Sequence, residues 1–428
     1  MNWGPVRSVV LRNARVPAAL ADGLALREHD AATSLALADL AIGPDGRISP
    51  SSNAPAIDLG GRIILPCFID SHVHLDKAFT VRRTGVPAGG LFDAVQLSMA
   101  DAPNRSPEDL TRRMEMGLRM AHANGTAALR THLDTQAQPC ASPAWQVFAR
   151  LRDEWRDRLT LQAVALMALE RVDDPDFEER CHQIAELGGI LGAFVPTGSA
   201  TADRLDRLFG FATRHGLDVD FHVDESLDPN AIGLELIAES VLRTGFGGRV
   251  VAGHCCSIAT RPEAEVEALV AKVADAGIHV ISLPHSNLYL QDRTPGRTPR
   301  LRGITLVHEL RAAGVPVHFA SDNVQDPFFP FGEFDMLEVI RSSVRIAHLD
   351  SAVGAWLPEL FLNAAAALRL DSHGRIAAGN PADFIVFDAT DWYGLLSHAH
   401  AERVVFRNGS VLPSGGMDWR QPFESESR

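Results

Sequence analysis

Eight short apolar stretches alternate with amphipathic helical patterns along most of this chain. The apolar stretches span residues 63–70, 126–134, 159–166, 191–198, 217–225, 249–254, 279–286 and 315–323. Between them, residues 106–125 and 261–277 have helical periodicity, and the second segment opens with acidic residues and ends at Gly277. Repeated alternation of strands and helices predicts an α/β protein, a (β/α)8 TIM-type barrel around a parallel sheet.

The two ends of the chain have a different pattern, made of short strand-like pieces separated by Gly, Pro, Asp and Ser. SVVLRNARV, ADLAIG and GRIILP occur near the N-terminus, and the same style returns in ADFIVFDA and RVVFRNGSVL near the C-terminus. We therefore predict a small β-sandwich domain built from residues 1–65 with 376–428, and a barrel domain over residues 66–375. The alternative is two unrelated sheet fragments.

Charge and cysteine content restrict the compartment and the partners. A net charge of −14 argues against nucleic acid and anionic membrane surfaces, because both need a positive footprint on the protein. The five cysteines form no C-x-x-C pair. No apolar segment approaches the ~18 residues of a membrane span. We expect a cytoplasmic homo-oligomer that acts on a small molecule, with no nucleic-acid or membrane partner.

The first apolar stretch leads into two histidines, in the sequence LPCFIDSHVHLDKAFT. His72 and His74 lie two residues apart, so on an extended strand both side chains point to the same face. Two imidazoles on one face can bind the same divalent ion. Taken alone, the pair leaves two interpretations open: metal ligands, or a polar strand end whose histidines cap backbone groups.

Polar residues also end three later stretches. His222 ends DVDFH with Glu225 just past it, His254 ends RVVAGH, and Asp322 ends VHFASD. Each has an ordinary structural explanation: an acidic loop for Glu225, a buried core histidine for His254, and a helix cap for Asp322. Their shared position at the C-terminal ends of barrel strands favours a catalytic site, because catalytic residues of such barrels gather there.

Three histidines and one aspartate would bind one divalent ion and leave one coordination position open. Open sites are typical of catalytic metals, and the ion lowers the pKa of bound water towards ~7. Beside such an ion, Glu225 can move protons. His254 can orient the water, accept its proton or hydrogen-bond the developing charge. These residues predict hydrolytic attack on an electrophilic carbon.

The chain resembles the amidohydrolase superfamily, and within it the bacterial cytosine deaminase group. The stretches that carry the resemblance are ILPCFIDSHVHLDKAFT, LRTHLD, DFHVDE, AGHCCS, NLYLQDRTPGRTPRLRGIT, ASDNVQDPFFPFG and GRIAAGNPADFIVF. The resemblance implies four ligands of one zinc or iron ion: His72, His74, His222 and Asp322. It also implies that Glu225 protonates the ring nitrogen of a heterocycle, and that His254 helps to activate the water or to stabilise the tetrahedral intermediate.

Two positions depart from the cytosine deaminase pattern. The group typically has a second aspartate after the metal aspartate, where this chain has Asn323. It also typically has a substrate-binding glutamine at a position that matches Ala168 here. Gln291 lies in a stretch that the group shares and is a further candidate for the substrate pocket. The Ser-Asp-Asn sequence that contains Asp322 and Asn323 resembles the branch that removes N-alkyl groups from triazines, such as isopropylammelide amidohydrolase. That branch, however, lacks a glutamate at the position of Glu225.

These observations predict a metal-dependent hydrolytic deaminase of a small nitrogen heterocycle, which releases ammonia from cytosine or a related aminopyrimidine or aminotriazine. The alternatives are hydrolysis of an N-alkyl or cyclic amide C–N bond at the same metal centre, and a non-catalytic metal-binding barrel. Around the site, Lys77 either faces the pocket or pairs with Asp76, and pairing is the favoured interpretation. His132 and Asp134 are expected to support the metal ligands.

Overall fold

A computed structural model describes residues 8–49 and 53–413 of the chain. Residues 1–7, 50–52 and 414–428, which the predicted sandwich domain includes, lie outside the described residues. Eight strands form one sheet in chain order. They are Phe68–Val73, Thr126–Asp134, Thr160–Ala168, Ile190–Val195, Val219–Val223, Val250–His254, His279–Ser282 and Val317–Phe319.

The eight-stranded sheet is the centre of the predicted (β/α)8 barrel. Neighbouring strands from Thr160–Ala168 to Val317–Phe319 pair in parallel. A parallel bridge between Val73 and Asp322, and a hydrogen bond of 2.9 Å from the Asp322 amide to the His72 carbonyl, join the last segment to the first. This closure brings the two segments that end in polar residues together at one rim.

Helices separate most of the barrel strands, as the amphipathic patterns predict. The helix predicted over residues 106–125 spans Pro107–Ala123, and the one predicted over 261–277 spans Glu263–Asp275. The remaining α-helices are Val81–Thr84, Leu91–Asp101, Pro143–Trp155, Phe177–Glu186, Ala202–His215, Gly233–Thr244, Pro284–Leu290, Val307–Ala312, Met336–Ile346, Ala364–Ala367 and Trp392–Ser397.

Strands from both ends of the chain form three smaller sheets. The largest contains Val9–Pro17, Arg27–Asp30, Leu35–Ile42, Ile48–Ser49 and Ala56–Asp58; the second contains Ile64–Pro66, Phe384–Phe387, Arg403–Arg407 and Ser410–Val411; the third pairs Ala21–Asp22 with Ile376–Ala377. One buried apolar cluster joins residues from both ends, including Leu11, Leu40, Phe384 and Phe406. The fold class is therefore confirmed: a barrel with a small β domain to which both chain ends contribute.

One detail of the strand prediction is wrong. The stretch 63–70 was expected to form a single barrel strand, but Ile64–Pro66 pairs antiparallel with Phe384–Phe387, and the barrel strand begins at Phe68. Between them, the Cys67 amide donates to the Asp383 carbonyl at 3.2 Å. A continuous apolar run buried on both sides carries no periodicity that marks the change of sheet.

Two compact units can be distinguished among the described residues. One contains the residues up to Ile69, Arg119–Ala128 and those from Asp335 onward, and the other contains Asp70–Leu118 and Leu129–Phe334. The domain boundaries at residues 65 and 376 remain a prediction. Within the described part of the chain, no helix is both long and apolar enough to cross a membrane.

Candidate metal centre and active site

The predicted metal ligands come from three regions of the barrel rim. His72 lies in the strand Phe68–Val73 and His74 directly follows it, His222 lies in the strand Val219–Val223, and Asp322 is bridged to Val73. All four side chains are buried, with at most 5% of each residue exposed. Parallel strands place their C-terminal ends at one face of a barrel, and this is why positions so distant in sequence meet.

The imidazole nitrogens of these histidines converge. His72 Nε2 lies 3.0 Å from His222 Nε2, which lies 3.2 Å from His74 Nε2. Asp322 Oδ1 lies 3.3 Å from His74 Nε2. Ligands of one ion at ~2.0–2.1 Å lie roughly 3.0–3.4 Å apart when their bonds make angles between square and tetrahedral. The four residues therefore fit a single divalent ion.

Two histidines of the cluster, His72 and His222, favour the neutral form that binds metals. Burial lowers the pKa of His72 and of His222 well below the usual value, and neighbouring imidazoles lower it further. His132 lowers the pKa of both residues. Its ring stacks on that of His72 at 3.9 Å between centroids. The contact agrees with the expected supporting position of His132.

Glu225 and His254 face each other beside the cluster. The Glu225 side chain is 8% exposed, and its Oε2 lies 3.5 Å from His254 Nε2. Burial raises the pKa of Glu225 well above its usual value, and the neighbouring Asp322 raises it further. Burial also lowers the pKa of His254 to about 4. These shifts favour the protonated form of Glu225 and the neutral form of His254, and a protonated carboxyl group can donate a proton.

A pocket opens onto these residues, and its walls are mostly apolar. His74, His222, Glu225, His254 and Asp322 all line it. The apolar lining residues are Leu91, Val95, Met99, Leu166, Met167, Phe194 and Phe328. A flat heterocycle can lie between such walls while its polar edge meets the few hydrophilic groups.

Of the three substrate-binding candidates, only Asn323 is among the described residues that line the pocket. Its Nδ2 donates to Asp326 at 2.6 Å. Ala168 ends its strand as an exposed residue, and the two preceding residues line the pocket in its place. Gln291 is buried at the end of the helix Pro284–Leu290 and is not among the residues described as lining the pocket.

Lys77 departs from the favoured interpretation of the sequence. Its Nζ lies 2.8 Å from Asp134 Oδ1 and 3.2 Å from His74 Nδ1, and it lines the pocket. The Asp76 carboxylate instead accepts from the Asp134 amide at 2.9 Å. Sequence reasoning missed this pair because Lys77 has an acidic neighbour in sequence, whereas Asp134 becomes a neighbour only when two barrel strands are adjacent.

Comparison with known proteins places this chain in a family. The amidohydrolase family model matches residues 114–405. A pterin deaminase from Rhizobium rhizogenes is 42% identical over 421 residues, which cover 96% of this chain and 95% of that protein. N-isopropylammelide isopropyl amidohydrolase from Pseudomonas sp. is 22% identical over 366 residues, covering 83% of this chain and 87% of that protein.

Solved structures agree with the family match. 5-methylcytosine deaminase from Klebsiella pneumoniae, with bound 5-fluorocytosine, matches with a TM-score of 0.79 at 28% identity, covering 96% of this chain and 98% of that one. N-isopropylammelide isopropylaminohydrolase from Burkholderia multivorans matches in fold with a TM-score of 0.75 at 24% identity, covering 94% and 97%. The predicted resemblance is confirmed: the chain belongs to the amidohydrolase family, hydrolases that act on carbon–nitrogen bonds other than peptide bonds.

Proposed function

We propose that this protein is a metal-dependent deaminase that replaces the exocyclic amine of a small nitrogen heterocycle with oxygen, and that its substrate is a pterin. The observation that carries the reaction type is the buried Glu225 carboxyl beside the converging imidazoles, with a pKa that favours its protonated form. The substrate class is supported by the 42% identity with a protein named pterin deaminase. The mostly apolar pocket walls also support a flat ring system as substrate.

The proposed metal site consists of four residues: His72, His74, His222 and Asp322. A divalent ion bound there supplies Lewis acidity that makes water nucleophilic near neutral pH. Zinc and iron both suit three imidazoles and one carboxylate.

The protein groups divide the proton transfers. Glu225 donates a proton to the ring nitrogen next to the carbon that carries the amine, because that nitrogen gains electron density as oxygen adds to the carbon. Asp322 accepts the proton that water loses. Asp322 passes this proton to the exocyclic amine, so that the C–N bond breaks and ammonia leaves. The hydroxyl proton of the intermediate returns to Glu225, and one heterocyclic amine and one water give one oxo-heterocycle and one ammonia. Asn323 is proposed to contact the polar edge of the substrate, since it lines the pocket beside Asp322.

The proposal is tested with purified protein reconstituted separately with zinc and with iron(II). Pterin, cytosine, 5-methylcytosine, an aminotriazine and an N-alkylaminotriazine are each supplied, and ammonia and alkylamine are both quantified. We expect ammonia from pterin with the highest kcat/KM of the panel. If alkylamine is released and no substrate gives ammonia, deamination is contradicted. If cytosine is turned over but pterin is not, the proposed substrate class is contradicted.

The metal requirement has its own control. Asp322→Ala is expected to lose both the bound ion and turnover. Metal stoichiometry measured on the same preparations separates a failure to bind metal from a failure of the later chemistry. Full activity of the chelated wild-type protein contradicts the metal dependence.

A further inference from the structure

The backbone of His254 is fixed from outside the pocket. His254 has φ of 71°, in the left-handed region that non-glycine residues rarely adopt. Its carbonyl accepts a hydrogen bond of 2.6 Å from Thr305 Oγ1. Its ring lines the pocket, whereas Thr305 is not among the described lining residues. The position of the ring is therefore set by contacts that a substrate does not touch.

A second contact from outside the pocket sets the proton position on the ring. Asn287 Nδ2 lies 3.0 Å from His254 Nδ1, and 1% of each residue is exposed. Asn287 is held in the helix Pro284–Leu290, where its carbonyl accepts from the Gln291 amide at 3.0 Å. With the amide in this orientation its nitrogen donates and Nδ1 accepts, which places the single proton of the neutral imidazole on Nε2.

The other side of the ring agrees with this assignment. His254 Nε2 points towards Glu225 Oε2 at 3.5 Å. A carboxyl group offers an acceptor oxygen in either protonation state, so an Nε2–H can face it. The contact with Glu225 is therefore compatible with a proton on Nε2, and the contact with Asn287 is the one that assigns it there.

We propose that Asn287 is a positioning residue that holds His254 in the Nε2-protonated tautomer, so that His254 donates a hydrogen bond into the reaction centre and does not accept a proton there. This role rests on the proposed function. It selects one of the three roles that the sequence left open for His254, namely hydrogen-bonding the developing charge. The proton of the attacking water must then go to a carboxylate, and Asp322 is placed to take it.

The tautomer can be measured without turnover. Zinc-loaded protein labelled with ¹⁵N-histidine is examined by two-bond ¹H–¹⁵N correlation, and His254→Gln identifies the His254 signals. We expect a pyridine-like Nδ1 and a protonated Nε2. A protonated Nδ1 in the wild-type protein overturns the proposal even if every variant of Asn287 fails to fold.

Two nearly isosteric variants link the tautomer to catalysis. Asn287→Asp supplies an acceptor in place of the donor, so the proton should move to Nδ1 and kcat should fall by roughly 10²-fold, as when one donor to a developing oxyanion is removed. Asn287→Leu supplies neither group and should give mixed tautomers with an intermediate kcat. Metal content and KM should change little in either variant.

Thr305→Val is the matched control, because it removes a hydrogen bond to the same histidine but at its carbonyl. A merely structural role of Asn287 predicts equal losses in all three variants and no change of tautomer, which also overturns the proposal. If no heterocycle is deaminated, the proposed function fails while the measured tautomer still stands. If deamination occurs with a protonated Nδ1, only the role of Asn287 fails.

Discussion

Arg113 stabilises the turn that follows the first two candidate metal ligands, His72 and His74. Its substitution should lower both the free energy of unfolding and the metal affinity of the candidate site. The guanidinium is completely buried. Its Nη1 donates to the Asp76 carbonyl at 2.9 Å and to the Ala78 carbonyl at 2.8 Å. Its Nε donates to Asp109 at 2.8 Å. One side chain of the helix Pro107–Ala123 thus holds the backbone on both sides of Lys77, immediately after His74.

The expected cost follows from these contacts. A hydrogen bond to a charged group contributes roughly 1.5–3 kcal/mol to stability. Arg113→Met removes two such bonds and one partner of a buried carboxylate, so the free energy of unfolding should fall by about 3–5 kcal/mol. Because the turn positions His74, metal affinity should also fall, by roughly 10- to 100-fold, as for other residues that support metal ligands.

Arg112 provides the matched control. It neighbours Arg113 on the same helix and binds the same Asp109 at 2.8 Å, but its side chain is 30% exposed. Arg112→Met should lower the unfolding free energy by less than about 1 kcal/mol and leave metal affinity unchanged. Urea denaturation of the metal-free proteins and competitive zinc titration measure the two quantities. Equal losses for the two variants, or unchanged zinc affinity in Arg113→Met, refute the reasoning.

Three further predictions concern the site and its support. Glu225→Gln should retain metal and lose kcat by roughly 10²–10⁴-fold, measured by ammonia release with metal analysis; retained turnover removes the proton-donor role. Gly253→Ala would place a Cβ 3.1 Å from the His72 ring, so zinc affinity should fall, whereas Gly247→Ala has open space and should not change it. Burial opposes ionisation of Asp109, yet hydrogen bonds from its arginine partners lower its pKa to about 2. The ionised Asp109 therefore contributes its full stabilisation above ~3.9, the pKa of the group in the unfolded chain, and this contribution is lost as pH falls towards 2. The free energy of unfolding of Asp109→Asn, measured against pH, should lack this decrease.

The positions of the candidate site residues could be predicted from sequence because one rule connects them. His72, His222, His254 and Asp322 each lie at or near the end of a barrel segment, and a closed parallel barrel brings such ends to one rim whatever their separation in sequence. The helices over residues 107–123 and 263–275 follow likewise from local periodicity and end signals. Both kinds of prediction need only local patterns and one global topology.

The residues that surround the ligands could not be predicted in this way. The contacts of Asn287 with His254, of Arg113 with the turn after His74, and of Lys77 with Asp134 depend on how helices and loops pack on the barrel. A lone Asn or Arg in a helix has the same local pattern whether it faces solvent or a catalytic group. The sequence therefore indicates the ligands of a site more readily than the residues that orient them.

The surrounding contacts bear directly on how two carboxyl groups in one pocket can perform different tasks. Burial raises the pKa of Glu225, and the negative charge of Asp322 raises it further. Burial also disfavours the charged form of Asp322, but the nearby His74 and His254 lower its pKa below the usual value. The two shifts favour the protonated form of Glu225 and the ionised form of Asp322, a division that suits an acid and a base working at the same pH. An Nε2 proton on His254 is consistent with this division, because a ring that already donates its proton cannot compete with Asp322 for the proton of water. The tautomer experiment on Asn287 therefore also tests whether the acid and base roles belong to the two carboxyl groups.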